Sequence, residues 1–264
     1  MMKRRQLLFA VMSLPAFCPG VRAEAARHYE ARLISGETQN DIWRAGLDLT
    51  LDPGWKTYWR MPGDAGIPPQ FDWSGSSNVK SVTVLWPAPT RFTDDGGETV
   101  GYKGRVVFPL DVIAEEAGKP IALKLAVFLG VCDVICIPVS LEMSLAQATP
   151  GPADASLIAA FVARVPEKVN AQSRFHIANA TIVDEDGKPA LALSLGGEGF
   201  TKDFEVFVEG SDFAYFHAPH PTDDAANFHL PIDGLKDPAK LRGRTLTLTM
   251  ISEDIRLEQD VVVD

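Results

Sequence analysis

The clearest pattern of hydrophobic and polar positions in the chain lies between residues 121 and 145. Apolar residues occupy every second position over residues 121–129, and they do so again over residues 137–145. Period-two alternation predicts a half-buried β-strand with one face on a core, and two such strands flanking a short break predict an antiparallel hairpin. We therefore expect residues 130–136 to form the end of a hairpin, with one cysteine near each strand end.

Strand and turn patterns also fill most of the remaining chain. Further strands are predicted in the first half over residues 45–51, 79–86 and 106–113. In the second half they are predicted over residues 175–183, 190–195, 204–209, 213–217, 226–232, 245–251 and 255–263. Between the halves, residues 156–165 carry apolar side chains at helical spacing, with Asp154 or Ser156 as the N-cap and Pro166 as the stop. Short strands with turn signals about every 8–12 residues are typical of β-sandwiches, so we predict an all-β protein with two sandwiches in series and one short linker helix.

Two stretches of the first half lack a strand pattern. Residues 55–79 are dense in aromatic residues, glycine and proline, which predicts an irregular, packed loop region. Residues 90–104 are polar and contain a pair of glycines, so we expect an exposed loop there.

The N-terminus predicts that the chain is exported. Residues 1–23 combine a basic start, an apolar segment and a small-x-small cleavage site that ends at Ala23, which is typical of a secretory signal peptide. No later apolar run reaches the roughly 18 residues of a membrane-spanning helix. We therefore expect a mature periplasmic chain without a membrane span, with one domain over residues 24–149 and a second over residues 150–264.

The charge of the chain excludes several classes of partner. The formal net charge is −10 at pH 7, and cleavage after Ala23 would remove four positive charges and no negative ones, which gives −14. Nucleic acids and anionic membranes select proteins with basic patches, so we expect neither as a partner. The sequence shows no Ser-His-Asp ordering, phosphate-cradling glycine loop or paired-carboxylate motif, and we expect no cofactor.

Cys132 and Cys136 are the two cysteines that remain after this cleavage. Residues four apart in a straight strand are separated by about 13 Å, whereas a disulfide needs Cα atoms about 4.4–6.8 Å apart. The two can therefore bond only if residues 133–135 turn back. So small a loop contributes little entropic stabilisation, which favours a redox-active pair, with a structural disulfide as the alternative. The negative charge of Asp133 disfavours a thiolate beside it, which favours attack on the pair by a partner's more acidic thiol.

Four motifs follow one another in the first half of the chain. They are W-x2-YW-x-MPGDAGIP, WPAPTRF, GYKGRVVFPL and C-x3-C-IP. In this order they resemble the N-terminal periplasmic domain of the thiol–disulfide interchange protein DsbD, and they look closest to the variant in copper-sensitivity suppressor B (ScsB) proteins. The resemblance covers about residues 28–148, and residues 150–264 look like the second sandwich of those longer N-terminal regions. It implies that the two sandwiches are immunoglobulin-like.

The resemblance also implies roles for individual residues. Cys132 and Cys136 would alternate between dithiol and disulfide and pass electrons to thioredoxin-fold periplasmic partners, with Cys136 forming the mixed disulfide. Such an activity is of the protein-disulfide reductase type.

A cap that shields the cysteines is the second feature that the resemblance implies. It would correspond to residues 90–101, with Phe92 as the shielding aromatic, while Tyr58 and Tyr102 take positions where the family has aromatics beside the cysteines. The cap here is longer and richer in glycine, which leaves the shielding residue open. Aromatic side chains dominate core energetics, so core packing is the alternative role for all three.

The chain departs from full-length DsbD in having neither a transmembrane electron-transfer domain nor a C-terminal thioredoxin domain. We therefore expect a separate membrane electron donor. The leading prediction is an exported thiol–disulfide exchange protein. The alternatives are a periplasmic copper-binding or copper-tolerance module and a structural interaction domain with an inert disulfide.

Metal binding is a weaker prediction. His217 and His220 lie three apart, with His229 nearby, but a third ligand at fixed spacing is missing, so we interpret them as solvated loop histidines and predict no metal site. Met61 together with the two thiols could take up Cu(I), which prefers soft sulfur ligands.

Overall fold

The computed structural model describes residues 27–63, 66–94, 97–197, 203–210, 214–224, 226–235, 237–253 and 255–264. The predicted signal peptide, residues 1–23, lies outside the described residues, as do residues 95 and 96 of the predicted cap. The described part of the chain is mostly β-strand, and it contains no helix that is long and apolar enough to cross a membrane.

Ten strands of the first half form a sandwich of two sheets, which we call the first sandwich. The strands are β1 (Tyr29–Gln39), β2 (Ile42–Leu51), β3 (Lys56–Gly63), β4 (Gln70–Asp72), β5 (Ser81–Val84), β6 (Thr90–Asp94), β7 (Gly97–Lys103), β8 (Arg105–Ile113), β9 (Ala122–Cys132) and β10 (Cys136–Ala146). One sheet has the order β1-β2-β8-β5, and the other has the order β10-β9-β3-β7-β6, with β4 also paired to β9. Both sheets contribute to one core cluster, which includes Leu47 and Phe108 from the first sheet and Trp59 and Leu125 from the second.

The second half forms another sandwich of two sheets, the second sandwich. The helix α1 (Pro152–Val162) precedes it, and its own elements are β11 (Glu167–Lys168), β12 (His176–Glu185), β13 (Lys188–Gly196), β14 (Glu205–Glu209), β15 (Tyr215–Phe216), β16 (His220–Pro221), β17 (Asn227–Asp233), a 3₁₀ turn (Pro238–Leu241), β18 (Thr245–Ile251) and β19 (Arg256–Val262). The sheet orders are β11-β19-β18-β14 and β12-β13-β17-β15, with β16 also paired to β17. A separate core cluster joins Val206 and Leu248 of the first of these sheets to Leu193 and Phe228 of the second. The prediction of an all-β, immunoglobulin-like fold is confirmed; the boundary between residues 149 and 150 stays a prediction.

The predicted hairpin at residues 121–145 is present as β9 and β10. The two strands pair without a register shift from Ala122 opposite Ala146 up to Cys132 opposite Cys136. On β9 the odd-numbered positions are buried and the even-numbered ones are exposed up to Phe128, which is the pattern that a half-buried strand requires. The strands therefore extend right up to the cysteines.

Two stretches that we predict as loops contain strands instead. β3 lies within residues 55–79, and β6 and β7 form a hairpin within residues 90–104. The first four residues of β3 are all buried, so both faces of this strand are covered and the period-two pattern is lost. β6 is the edge strand of its sheet, and its polar residues carry no apolar alternation that a sequence pattern can detect. β7 lies between β6 and β3, and its residues 99–102 are all buried, so the period-two pattern is lost there as well.

The single α-helix of the described residues begins earlier than the spacing predicts. Its N-cap is Gly151 and Pro152 occupies the first turn, rather than an N-cap at Asp154 or Ser156. Proline suits this position because its fixed φ is helical and its missing N–H would have no partner there. The helix is also more than a linker, because Ile158 and Phe161 are buried in the core cluster of the first sandwich.

The two sandwiches contact each other directly. Phe207 on β14 packs edge-to-face on Trp59 of β3, with 5.6 Å between the ring centroids, and it belongs to the core cluster of the first sandwich. Next to this contact, Arg60 forms ion pairs with Glu209 and Glu258 of the second sandwich. Burial lowers the pKa of Arg60, but the hydrogen bonds and charges of these two carboxylates outweigh it and raise the pKa.

Candidate redox site

The β9–β10 hairpin brings the two cysteines together. Cys132 is the last residue of β9 and Cys136 is the first of β10, and they are direct partners in the register. Their Cα atoms are 4.2 Å apart and their sulfur atoms are bonded. The expectation that residues 133–135 must turn back to allow a disulfide is therefore met.

The two cysteines differ in their access to solvent. Cys132 is only 1% exposed, because it lies where β9 is paired on both sides, with β10 and with β3. Cys136 is exposed, and so is the turn before it, where Val134 is 93% and Ile135 is 73% exposed. The hairpin tip therefore places one solvent-exposed cysteine next to solvent-exposed apolar side chains.

Tyr58 on β3 lies against both sulfur atoms. Its hydroxyl oxygen donates a hydrogen bond to Cys132 Sγ at 2.8 Å and lies 2.9 Å from Cys136 Sγ. The ring is buried, and the absence of a side chain at Gly130 makes room for it: a Cβ there would lie 3.0 Å from Tyr58 Cε2 and 2.9 Å from Ile67 Cβ. Packing therefore fixes the phenol where it can donate to whichever sulfur carries negative charge.

A buried lysine lies on the strand next to Cys132. Lys56 of β3 is the register partner of Cys132, and paired residues of antiparallel strands project to the same face of the sheet. Lys56 is 5% exposed, and its Nζ donates to Thr99 Oγ1 at 3.0 Å. A cation held on this face favours a thiolate at Cys132, which opposes the effect of Asp133.

The predicted cap, residues 90–101, coincides with most of the β6–β7 hairpin, which we call the cap hairpin. It pairs with β3 through β7, with Lys56 opposite Lys103 and Tyr58 opposite Gly101. Phe92 on β6 is half-buried, and its ring centroid lies 4.6 Å from Lys103 Nζ and 5.9 Å from Lys56 Nζ. The structure therefore places Phe92 over the lysine that neighbours Cys132.

Tyr102 has a different environment from Tyr58. It pairs with Thr57 rather than with Tyr58, so its side chain projects to the opposite face of the sheet. It packs edge-to-face on Phe108 in the core, and its hydroxyl donates to the carbonyl of Pro87 at 2.8 Å. Burial raises the pKa of Tyr102 well above its usual value. The structure thus gives Tyr102 a place in the core and Tyr58 a place at the sulfur atoms.

The remaining candidate residues lie in the second sandwich or at its border. His217 bonds to Asp233 at 2.8 Å, while His220 and His229 both approach Glu185, at 3.2 and 3.1 Å. Met61 lines a cavity of about 580 Å³ between the sandwiches, together with Trp59 and Phe207. The three histidines therefore contact carboxylates, and Met61 lies at the interface between the sandwiches.

Lys56, Thr99 and Gly130 are site residues that the sequence patterns did not indicate. A detectable signal existed for Lys56, since a lysine enclosed in W-K-T-Y-W is surrounded by residues that favour burial. Thr99 and Gly130 carry no comparable signal, because each acts only through a contact with a residue distant in the chain.

The fold and the site together define a class: an immunoglobulin-like β-sandwich protein with a disulfide at a hairpin tip, one cysteine of which is exposed. Residues 23–148 match the sequence model of the family described as "Thiol:disulfide interchange protein DsbD, N-terminal". This part of the chain is therefore a DsbD-N-like domain.

Comparison of structures extends the similarity of fold to the second sandwich. The crystal structure of the N-terminal periplasmic domain of ScsB from Proteus mirabilis aligns with a TM-score of 0.70 and 21% sequence identity, over 90% of this chain and 94% of that one. An endo-fucoidan hydrolase from glycoside hydrolase family 107 aligns with a TM-score of only 0.19 and 13% identity, over 78% of this chain and 28% of that one. No curated protein sequence matches the chain.

Proposed function

We propose that the chain is an exported thiol–disulfide exchange protein that passes electrons through Cys132 and Cys136 to thioredoxin-fold partners. The observation that carries this proposal is the bonded pair at the hairpin tip, in which an exposed Cys136 is joined to a buried Cys132. A disulfide whose only task is to close a three-residue turn contributes little stability. Its place at an exposed tip suits exchange with a second protein.

The exchange reaction begins with the reduced protein. The Cys136 thiolate attacks one sulfur of the partner's disulfide, which forms a mixed disulfide and releases the partner's second sulfur as a thiolate. The Cys132 thiolate then attacks Cys136 Sγ, which forms the Cys132–Cys136 disulfide and releases the partner's first sulfur. Two electrons pass to the partner, whose two sulfurs take up the protons that the cysteines lost.

Three features of the site support this division of roles. Cys136 is the exposed cysteine and is the one that a partner can reach, whereas the buried Cys132 is in place to resolve the mixed disulfide. Tyr58 can donate a hydrogen bond to a thiolate on either residue. Hydrogen bonds to charged acceptors are about twice as strong as those between neutral groups, so the phenol favours the reduced state more than the oxidised one.

We place the reaction in the bacterial periplasm. We assign the reduction of the Cys132–Cys136 disulfide back to the dithiol to a separate membrane electron donor. The signal-like composition of residues 1–23 supports export, and the similarity to the ScsB periplasmic domain supports the compartment. The exposed apolar side chains of Val134 and Ile135 suit docking against an apolar surface around a partner's own disulfide.

Trapping of the mixed disulfide tests the proposal. Oxidised thioredoxin-fold proteins with a Cys-x-x-Cys pair are incubated with the Cys132→Ser and Cys136→Ser variants, and adducts are identified by non-reducing electrophoresis and mass spectrometry. We expect Cys132→Ser to accumulate an adduct through Cys136, because the resolving thiol is missing, and Cys136→Ser to form much less. Absence of an adduct from both variants with every partner would overturn the proposal.

A further inference from the structure

The cap hairpin has two faces with different neighbours. Phe92 pairs with Thr99 across the hairpin, and both contact Lys56, through its Nζ, which lies 5.9 Å from the Phe92 ring and 3.0 Å from Thr99 Oγ1. The neighbouring residues Arg91 and Glu98 project to the opposite face, because side chains alternate along a strand. The inner face of the hairpin therefore meets the redox site, and its outer face meets the second sandwich.

Arg91 is the centre of the contacts on the outer face. Its side chain is 7% exposed, and its guanidinium donates to Glu98 at 2.5 Å, to Glu205 at 2.9 Å and to the carbonyl of Val206 at 2.8 Å. The guanidinium also lies over the Phe207 ring, 4.9 Å from its centroid. Three of these four partners belong to β14, so a single arginine fastens the cap hairpin to the second sandwich.

A second contact of the same kind supports this attachment. Glu98, which accepts from Arg91, also accepts a hydrogen bond from the hydroxyl of Tyr215 on β15. Glu98 is the direct neighbour of Thr99, whose hydroxyl holds Lys56. A continuous series of contacts thus runs from β14 and β15 through the cap hairpin to the strand partner of Cys132.

We propose that the second sandwich holds the side chain of Lys56, the strand neighbour of Cys132, in place by fixing the cap hairpin through Arg91, and that it thereby sets the balance between the dithiol and the disulfide. Arg91 is a positioning residue, which acts through Thr99 and Lys56 without touching sulfur. Lys56 is the register partner of Cys132, and its positive charge on the same face of the sheet stabilises the thiolate of the reduced pair but has no charge to stabilise in the disulfide. Loosening the hairpin therefore shifts the balance towards the disulfide.

The balance can be measured without any protein partner. In glutathione buffers, the protein disulfide and two glutathione thiols exchange with the protein dithiol and one glutathione disulfide. The equilibrium constant is read by alkylation and mass spectrometry on the full mature chain. This measurement needs no thioredoxin-fold partner. A negative result for the role of Arg91 is therefore distinguishable from a failure of the proposed function.

Four single variants and one double variant define the experiment. Lys56→Met removes the ammonium, Arg91→Ala and Glu205→Gln release the hairpin from either side, and Arg105→Gln is the matched control. Arg105 forms an ion pair with Asp48 in the first sandwich, so its loss removes a similar interaction without touching the cap hairpin. Hydrogen exchange of the backbone amides of β7 reports directly on whether the hairpin is released.

We expect Lys56→Met, Arg91→Ala and Glu205→Gln each to shift the equilibrium towards the disulfide by about three- to tenfold, a typical range for coupling between sites. Arg105→Gln should leave it unchanged. The double variant Lys56→Met/Arg91→Ala should shift it no further than Lys56→Met alone, since Arg91 acts through Lys56. Additive effects in the double variant would overturn the proposal. So would an unchanged equilibrium in both Arg91→Ala and Glu205→Gln with faster exchange in β7.

Discussion

The hydroxyl of Tyr58 is the most direct structural control on the chemistry of the two sulfur atoms. Tyr58→Phe removes one oxygen that lies 2.8 Å from Cys132 Sγ and 2.9 Å from Cys136 Sγ. The ring itself stays packed against Gly66 and Gly130, so we expect the fold to be kept. The variant therefore isolates a hydrogen bond at the redox site.

The magnitude follows from the difference between the two redox states. A hydrogen bond to a charged acceptor contributes about 1.5–3 kcal/mol and one to a neutral acceptor about 0.5–1.5 kcal/mol. The loss in the reduced state should thus exceed the loss in the oxidised state by about 1 kcal/mol. Because about 1.4 kcal/mol corresponds to about 30 mV for a two-electron couple, Tyr58→Phe should make the reduction potential more negative by roughly 20 mV.

The assay is a redox titration of both proteins against glutathione, with Tyr102→Phe as the control. Tyr102 loses the same atom from the same sheet, but its hydroxyl bonds to the Pro87 carbonyl in the core. We expect Tyr102→Phe to lower the free energy of unfolding by about 1 kcal/mol and to leave the potential unchanged. Equal potentials for Tyr58→Phe and the unaltered protein, or a shift to less negative values, would refute the assigned role of the phenol.

Three further predictions concern packing, docking and pH. Gly130→Val should destabilise the protein by about 1–3 kcal/mol, as overpacking does, since the new atoms would meet the Tyr58 ring; thermal unfolding measures this, and an unchanged Tm would contradict it. Val134→Ser should change stability by less than about 0.5 kcal/mol but weaken adduct formation with partners, and undiminished trapping would exclude a docking role. Burial raises the pKa of Asp48, but the hydrogen bond from Arg105 acts in the opposite direction, and the net pKa lies below 3.8. Its contribution to stability is therefore complete above pH 3.8 and lost as the pH falls through the lowered pKa. Asp48→Asn should show a weaker loss of stability in acid titrations, and an unaltered profile would contradict this.

The part of the site that the sequence predicts is the part built from local pattern. The β9–β10 hairpin follows from alternation of apolar residues, and the spacing of Cys132 and Cys136 predicts that a disulfide between them requires residues 133–135 to turn back. Both depend on residues close together in the chain, where strand geometry limits the arrangements. The resemblance to the DsbD N-terminal domain added Tyr58, which the structure places at both sulfur atoms.

The features of the site that depend on tertiary contacts could not be predicted from the sequence. Tyr58 and Tyr102 are both aromatics of adjacent strands, and only the register, with Tyr102 opposite Thr57, separates the one at the sulfurs from the one in the core. The contacts of Lys56 and Arg91 are equally invisible in a linear pattern, because Lys56 bonds to Thr99, 43 residues away, and Arg91 bonds to Glu205, 114 residues away.

The central claim is that the Cys132–Cys136 pair undergoes thiol–disulfide exchange with a protein partner. The most direct test mixes the fully reduced protein with an equal amount of oxidised thioredoxin, used as a thioredoxin-fold probe, and counts thiols on both proteins after rapid acid quenching. We predict that this protein loses two thiols while the probe gains two, through a transient adduct at Cys136. No transfer, together with a reduction potential below about −300 mV, the range of structural disulfides, would contradict the claim.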